Sequence, residues 1–348
     1  MSATRAEALL AALRRPDGPF PRVELGRWPT PVEPVDIRTG DHTARVWIKR
    51  DDLSSSVYGG NKVRKLEYLL FGPRRAVITA GARGSHHLLA TALHARALGR
   101  PSIGIVLADR PRTTHADAVH ELVLRFCDRV VPLEHSPSAM LETAAGLAGA
   151  ARLSLASRGA TAIPPGASTP LGTLGYVAGG LEIALQAARG GCPPPAVVYT
   201  ALGTGGTAAG LALGLALAGL RTRVVAVRVA TRLVGNRLYL RALADRTLAL
   251  LRRAGLVRNR PRPRIEVDHR FVGAGYGHPT PASRRAIRAA AESCSADFET
   301  TYTGKALAAL LADSAGAPAS QPRMFLDTYG PIEDLDRGSH EALGGEPR

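Results

Sequence analysis

Residues Gly59-Gly60-Asn61-Lys62-Val63-Arg64-Lys65-Leu66-Glu67 set a lysine behind two glycines and an amide side chain, at the opening of a helical stretch. Glycines let the backbone come close to a bound group, and the first turn of a helix attracts anions. A lysine held in that setting can form a Schiff base with a carbonyl compound. The chain has only four lysines, Lys49, Lys62, Lys65 and Lys305, against 41 arginines, and two of the four lie in this stretch. Taken alone, Gly-Gly-x-Lys also describes a solvated surface turn.

Outward from this stretch, short apolar segments alternate with helical ones. Val46–Lys49, Ala76–Thr79, Ser102–Leu107 and Arg129–Pro132 read as strands. Helices are predicted through Leu88–Leu98, over Thr114–Cys127 and over the alanine-rich 139–155. A second series begins near Ile163, with a helix over Leu174–Arg189, a buried strand over Ala196–Leu202, a helix over Thr207–Ala218 and a strand over Arg223–Val229. Such alternation predicts an α/β protein with mostly parallel sheets flanked by helices. Two α/β units in series place a ligand cleft between them.

Bulk properties narrow the function classes. The 348 residues are 45% apolar, enough for two domains or one large one with a real core. No apolar run reaches the roughly eighteen residues of a membrane span. Met1–Phe20 has a short amphipathic pattern (Ala8, Leu9, Leu10, Leu13) without an apolar h-region, so no signal peptide is expected. Cys127, Cys192 and Cys294 are scattered, which points to a reducing cytoplasm, no disulfide framework and no cysteine metal site. The net charge of +16 raises nucleic acid as a partner. The arginines are dispersed, however, and the densest run, Arg252–Arg264, has no interleaved aromatics and reads as a solvated loop. Replacement of lysine by arginine reads as a coding bias, so no nucleic-acid partner is expected. The same charge could steer small anionic substrates.

Three further constellations accompany Lys62. Gly203-Thr204-Gly205-Gly206-Thr207 follows a strand and opens a helix, so its amides and hydroxyls could cradle a phosphate. A tight turn or a dinucleotide fingerprint, Gly203-x-Gly205-x-x-Ala208, would fit the same letters. The fingerprint expects an acid after the next strand, where the chain has Ala230, Thr231 and Arg232. Gly81-Ala82-Arg83-Gly84-Ser85-His86-His87 joins a strand to a helix, and its amides and Ser85 could hold a carboxylate or simply make the turn. Adjacent His86 and His87 diverge, which makes them a poor metal pair. Tyr276 stands between Gly275 and Gly277, and Tyr302-Thr303-Gly304-Lys305 follows. The glycines mark a special backbone path at Tyr276.

In this order the motifs resemble the family of pyridoxal-phosphate enzymes that contains D-cysteine desulfhydrase and 1-aminocyclopropane-1-carboxylate (ACC) deaminase. The resemblance runs from about Phe20 to Gly330, through Phe20–Leu25, Thr30-Pro31, Lys49–Leu53, Gly59–Lys62, Ile163-Pro164, Gly172–Tyr176 and the later motifs. It implies a two-domain α/β fold of the tryptophan-synthase-β type (fold type II). The large cofactor-binding domain would comprise residues 1–60 and 165–348, and the small domain 61–164. It implies that Lys62 carries pyridoxal 5′-phosphate as a Schiff base and moves the Cα proton. Asn61 would support the cofactor, Gly203, Thr204, Gly205, Gly206 and Thr207 would hold its phosphate, and Thr303 would face its ring nitrogen. Ser85, Tyr276 and Tyr302 would act on the substrate. A hydroxyl opposite the ring nitrogen moderates the electron sink and suits β-elimination.

ACC deaminases carry Glu where this chain has Thr303 and Leu near Thr328, so the resemblance favours a D-cysteine desulfhydrase-like lyase giving α-keto acid, ammonia and sulfide. ACC deamination, a specialised β-elimination or β-replacement, and a catalytically silent cofactor-binding protein are the alternatives. The family's Gln-Ser-Asn-His reads Gly84-Ser85-His86-His87 here, which passes the hydrogen bond to the cofactor's 3′ oxygen to His86. Its His-Thr-Gly-Gly reads Asp327-Thr328-Tyr329-Gly330, which puts a phenol near the substrate. A cytoplasmic homodimer acting on a small amino acid, with no metal and no membrane partner, is the expectation.

Overall fold

The structure is a computed structural model that describes residues 3–335 apart from 74, 108–112, 134–158, 234, 317 and 319. The helix expected over 139–155 lies outside the described residues. Those residues form one six-stranded and one four-stranded sheet. The larger contains β1 (Val32–Thr39), β2 (His42–Arg50), β7 (Val197–Leu202), β8 (Arg223–Arg228), β9 (Arg264–Asp268) and β10 (Arg323–Asp327), in the order β1-β2-β10-β7-β8-β9. β1 pairs antiparallel with β2, and the other pairs are parallel. The smaller sheet is wholly parallel, with β3 (Val77–Ala82), β4 (Ser102–Leu107), β5 (Arg129–Leu133) and β6 (Thr161–Ile163) in the order β5-β4-β3-β6.

Parallel strands are covered on both faces and therefore read as apolar runs rather than alternations. In β7, Val197 and Tyr199 enter one core with α8 (Pro281–Ala291) and α9 (Thr303–Ser314). Val198 and Leu202 enter another with α6 (Gly206–Leu217) and α7 (Arg237–Arg253). The small sheet packs on α3 (His86–Ala97) and α4 (Thr114–Phe126) through Val77, Leu89, Leu93, Val119 and Phe126. The amphipathic start of the chain is α1 (Ala3–Arg14), whose Leu9 and Leu13 pack with Leu174 and Leu181 of α5 (Pro170–Ala188).

Two features differ from the sequence reading. The strand expected over Val46–Lys49 runs from His42 to Arg50 and is half of a hairpin with β1. β1 buries only Val35 and Ile37, with Pro34, Asp36 and Arg38 exposed at alternate positions, so its apolar signal is weak. The Arg252–Arg264 run is a loop only in its middle: Arg252 and Arg253 close α7, and Arg264 opens β9.

The lysine-bearing helix α2 (Lys62–Leu69) is fixed by close backbone contact and buried charge. A Cβ on Gly175 of α5 would lie 2.0 Å from the Arg64 carbonyl oxygen, so only glycine lets these helices approach so closely. Arg64 donates through Nε and Nη2 to both oxygens of Asp51, each at 2.8 Å, and through Nη2 to Glu182 at 3.0 Å. Tyr176 donates to Asp51 at 2.8 Å, and Lys49 and Arg14 also bond to Glu182. Burial raises the carboxyl pKa of Glu182, but Arg64 and Lys49 outweigh it and hold the group far below the ordinary range.

Glu182→Leu therefore strands several buried cations, and we expect a stability loss of about 3–5 kcal/mol, read as a lower urea midpoint. Because the Glu182 pKa is depressed on folding, its contribution is present above the unfolded value of about 4.3 and fades as pH falls below it. The wild-type midpoint should therefore drop more steeply with acid than that of the variant.

Candidate active site

Both glycine-rich loops lie at the carboxyl ends of parallel strands, where α/β sheets gather ligands. The loop after β3 leads into α3, and the loop after β7 leads into α6. Between them lies a cavity of about 210 Å³. Its lining includes Asn61, Lys62, Ser85, His86, Gly203, Thr204, Gly205, Thr207, Tyr276, Tyr302 and Thr303. Of the residues singled out from the sequence, Gly206 is not in the wall itself and opens α6 directly behind it.

Lys62 is the first residue of α2. Gly60 precedes it at φ +94°, and a Cβ there would meet the Thr328 carbonyl oxygen at 2.7 Å. Lys62 Nζ donates to Asn61 Oδ1 at 2.6 Å, and Asn61 Nδ2 donates to Thr207 Oγ1 at 3.1 Å. This chain ties the amine to the first turn of α6. Burial without a counter-ion lowers the Lys62 pKa to about 8. A substantial neutral fraction is then present near physiological pH, and the neutral amine is the form that attacks a carbonyl.

The Gly203–Thr207 loop has the features of an anion cradle. Gly205 takes φ +86°, and the Gly206 amide donates to Ser168 Oγ at 3.0 Å. Ser168 Oγ also meets Thr204 Oγ1 at 2.7 Å. Lys65 Nζ, fully buried, donates to the Gly166 carbonyl at 3.1 Å. A Cβ on Gly206 would come within 2.8 Å of Ser168 Oγ and 3.2 Å of Lys65 Nζ. Helix-terminal amides, hydroxyls and an ammonium thus converge where only glycine leaves room, which fits a phosphate group. Burial, then the Lys62 charge, pushes Lys65 well below the lysine range, and a neighbouring dianion would oppose that shift. Lys65 and Ser168 were not assigned from the sequence. Lys65 had a signal, since it follows Lys62 by three residues and so shares its helix face; Ser168 had none.

Opposite the cradle, Ser85 caps α3 by accepting from the Leu88 amide at 3.4 Å. Tyr276 and Tyr302 share a hydrogen bond of 2.6 Å with rings edge to face. Burial pushes Tyr276 up to about 12 and Tyr302 higher, so both stay neutral. Thr303 Oγ1 accepts from the Glu299 amide at 2.9 Å. Glu299, which sequence reading missed, also lines the cavity, but its carboxylate accepts from the amides of Thr301, Tyr302 and Thr303. It is a cap for α9.

His86 is bonded at both ring nitrogens. Tyr58 has one hydroxyl proton and gives it to the Gly330 carbonyl at 2.8 Å. With that proton directed to Gly330, the 2.5 Å contact between Tyr58 Oη and His86 Nδ1 assigns the His86 proton to Nδ1. Burial keeps the ring neutral, so Nε2 carries the lone pair, and His115 Nε2 donates to it at 3.0 Å. The single N–H of His86 is thus occupied away from the cavity. His86 serves as a wall instead, with Tyr329 edge-on at 5.3 Å and His115 stacked at 5.2 Å. Among the described residues no cluster of three or more His, Cys, Asp or Glu could hold a metal ion. No described helix is long and apolar enough to cross a membrane.

The pyridoxal-phosphate-dependent enzyme family matches residues 23–325. The chain belongs to that family. This pyridoxal-phosphate enzyme is 34% identical over 304 residues to nocardicin C-9′ epimerase of Nocardia uniformis subsp. tsuyamanensis, covering 85% of this chain and 89% of the relative. It is 32% identical to D-cysteine desulfhydrase of Salmonella choleraesuis (strain SC-B67), covering 93% and 95% respectively. The crystal structure of an ACC deaminase homologue aligns with a TM-score of 0.73 at 29% identity, over 93% of this chain and 94% of that one.

Two outcomes test the cradle and the amine. Gly206→Val should weaken pyridoxal-phosphate binding at least tenfold in an absorbance titration, while pyridoxal, which lacks the phosphate, should lose much less. The rate at which cofactor-free protein gains visible absorbance from the cofactor should rise with pH and level off above about 8, following the neutral form of Lys62. An ordinary lysine would keep rising towards about 10.4, and Lys62→Ala should show no such gain.

Proposed function

We propose that the chain is a lyase that removes the Cα proton of a small amino acid and expels a substituent from Cβ, with a thiol as leaving group, in the manner of D-cysteine desulfhydration. Thr303 carries this reading. A hydroxyl stands where the resemblance places the partner of the cofactor's ring nitrogen, and the adjacent Glu299 carboxylate is held by three helix amides. When bound, pyridoxal phosphate supplies an electron sink for the pair left as the Cα proton departs. A neutral partner keeps that sink moderate, which suits loss of a good leaving group.

The protein residues divide the remaining work. Lys62 Nζ, near pKa 8, takes the Cα proton and holds it. Asn61 and Thr207 orient the amine. Gly203–Thr207, Ser168 and Lys65 hold the phosphate. Ser85 and the first amides of α3 face the substrate carboxylate. Tyr276 and Tyr302, both neutral, border the substrate side chain and keep a hydroxyl proton at hand for the departing sulfur. Cα–H and Cβ–S break, a carbon–carbon double bond forms, and one water converts the released enamine to keto acid and ammonia.

We assign residues 1–60 and 165–348 to a large cofactor-binding domain and 61–164 to a small domain. The assignment is supported by the strands, since β1, β2 and β7–β10 fall in the first and β3–β6 in the second. A cytoplasmic homodimer completes the reading. ACC deamination ranks second, because Thr303 stands where the resemblance gives those enzymes Glu. Cα epimerisation also has support, from the 34% identical epimerase.

The test is incubation of the holoenzyme with D-cysteine, L-cysteine and ACC in deuterated water. We expect keto acid, ammonia and sulfide in equal amounts from D-cysteine, reduced at least about a thousandfold in Lys62→Ala, within the range of a lost catalytic group. Recovery of inverted, deuterated amino acid without keto acid would sink the elimination reading in favour of epimerisation.

A further inference from the structure

A second concavity lies away from the cofactor cavity and shares no lining residue with it. It runs between the end of α6, the outer face of α7 and β9, with a volume of about 1100 Å³. Leu217 and Ile265 form its buried floor, with Leu220 and Pro263 partly covered above them. Six arginines and one glutamate line it. The glutamate, Glu266, is already paired with Arg223 at 2.5 Å. Arg221, Arg237, Arg241 and Arg262 are exposed and pair with no carboxylate among the described residues.

Edge protection does not account for this arrangement. β9 ends the six-stranded sheet, and charges on an edge strand discourage strand addition. That explains Arg264 and Glu266, which β9 itself carries. Arg237 and Arg241 come from α7, Arg221 precedes β8, and Arg262 precedes β9. Separate segments thus line one hollow with like-charged side chains, which repel one another unless an anion joins them. A guanidinium fork matches phosphate oxygens bidentately.

Size and lining select the class of anion. The volume is near the upper end of small-molecule sites, roughly 300–1,000 Å³. Phe, Tyr and Trp are absent from the lining and its single imidazole, His269, is held by Arg228 at 2.8 Å, so successive nucleobases find no row of stacking platforms. We propose that this groove binds a compact small molecule bearing a chain of phosphates, held by the unpaired arginines and independently of pyridoxal phosphate.

Calorimetric titration of the holoenzyme with inorganic tripolyphosphate and with ATP tests this. We expect saturable binding of both, weakened at least tenfold in Arg237→Glu/Arg241→Glu, with the cofactor's visible absorbance unchanged. Equal affinities identify the phosphate chain as the whole ligand, and a tenfold preference for ATP shows that the nucleoside is also held. If the double variant fails to fold, Arg221→Ala/Arg262→Ala reads the same loss. Absence of saturable binding, full affinity in the folded variants, or tighter binding of a short single-stranded RNA than of either phosphate compound would overturn the proposal.

Discussion

The fork of Arg64 onto Asp51, with Glu182 behind it, is the constraint on which the site depends. Residues two apart on a helix face different sides, so Arg64 grips the protein interior while Lys62 turns towards the cavity. The network joins the 51–54 turn, α2 and α5, which belong to different stretches of sequence. Buried ion pairs are a weak source of net stability, since desolvation offsets much of the attraction. Here the bidentate geometry does something an apolar contact could not: it fixes the rotation of α2 about its axis. The Arg64 guanidinium also lies 3.9 Å over the Trp28 ring, which closes the last open side. The position of the reactive amine is therefore inherited from ions that never touch it.

A second consequence concerns charge inside the cavity. Lys62 is partly neutralised by burial, Tyr276 and Tyr302 keep their protons, and His86 is neutral. Glu299 is turned to the amides of α9. What remains is a lining of amide dipoles, hydroxyls and two depressed ammonium groups. Apart from Glu299, whose carboxylate is taken up by backbone amides, such a lining offers positive charge and donors without a competing anion, so it is suited to a dianionic phosphate at one end and a carboxylate at the other. Lys65 shows the coupling most directly. Burial and then the Lys62 charge depress its pKa, and the cradle beside it is where an opposing anion would be held.

Much of this was legible in the sequence because it is local. Gly59–Lys62 and Gly203–Thr207 specify backbone paths by their glycines, and the apolar run at 196–202 specifies a buried strand. Neither α7 nor α8 was predicted, although each has a local start signal, the Asn236 cap and the Thr280–Ser283 capping box; other missing parts are set by distant contact. β1 buries two residues of eight and is stabilised by its partner. β9 and β10 have five residues each, too short for a period to show. Ser168 and Glu299 act through bonds to the amides of other segments or of a helix not yet formed. His86 is the clearest case. The substitution was visible, but its meaning depends on Tyr58, 28 residues earlier, and on His115, 29 residues later.

That hydrogen-bond chain also bears on how the cavity can vary without losing its cofactor. It runs from His115 on α4 through His86 on α3 to Tyr58, and ends at the Gly330 carbonyl beyond β10. With the Tyr58 proton directed to Gly330, its hydrogen bonds run in one direction. Tyr329, held by its amide to Asp327 at 3.1 Å, leans its ring on this chain rather than on the cradle. The residues proposed to hold a phosphate can stay fixed while those proposed to border the substrate change, and the departures at His86 and Tyr329 both fall on the wall.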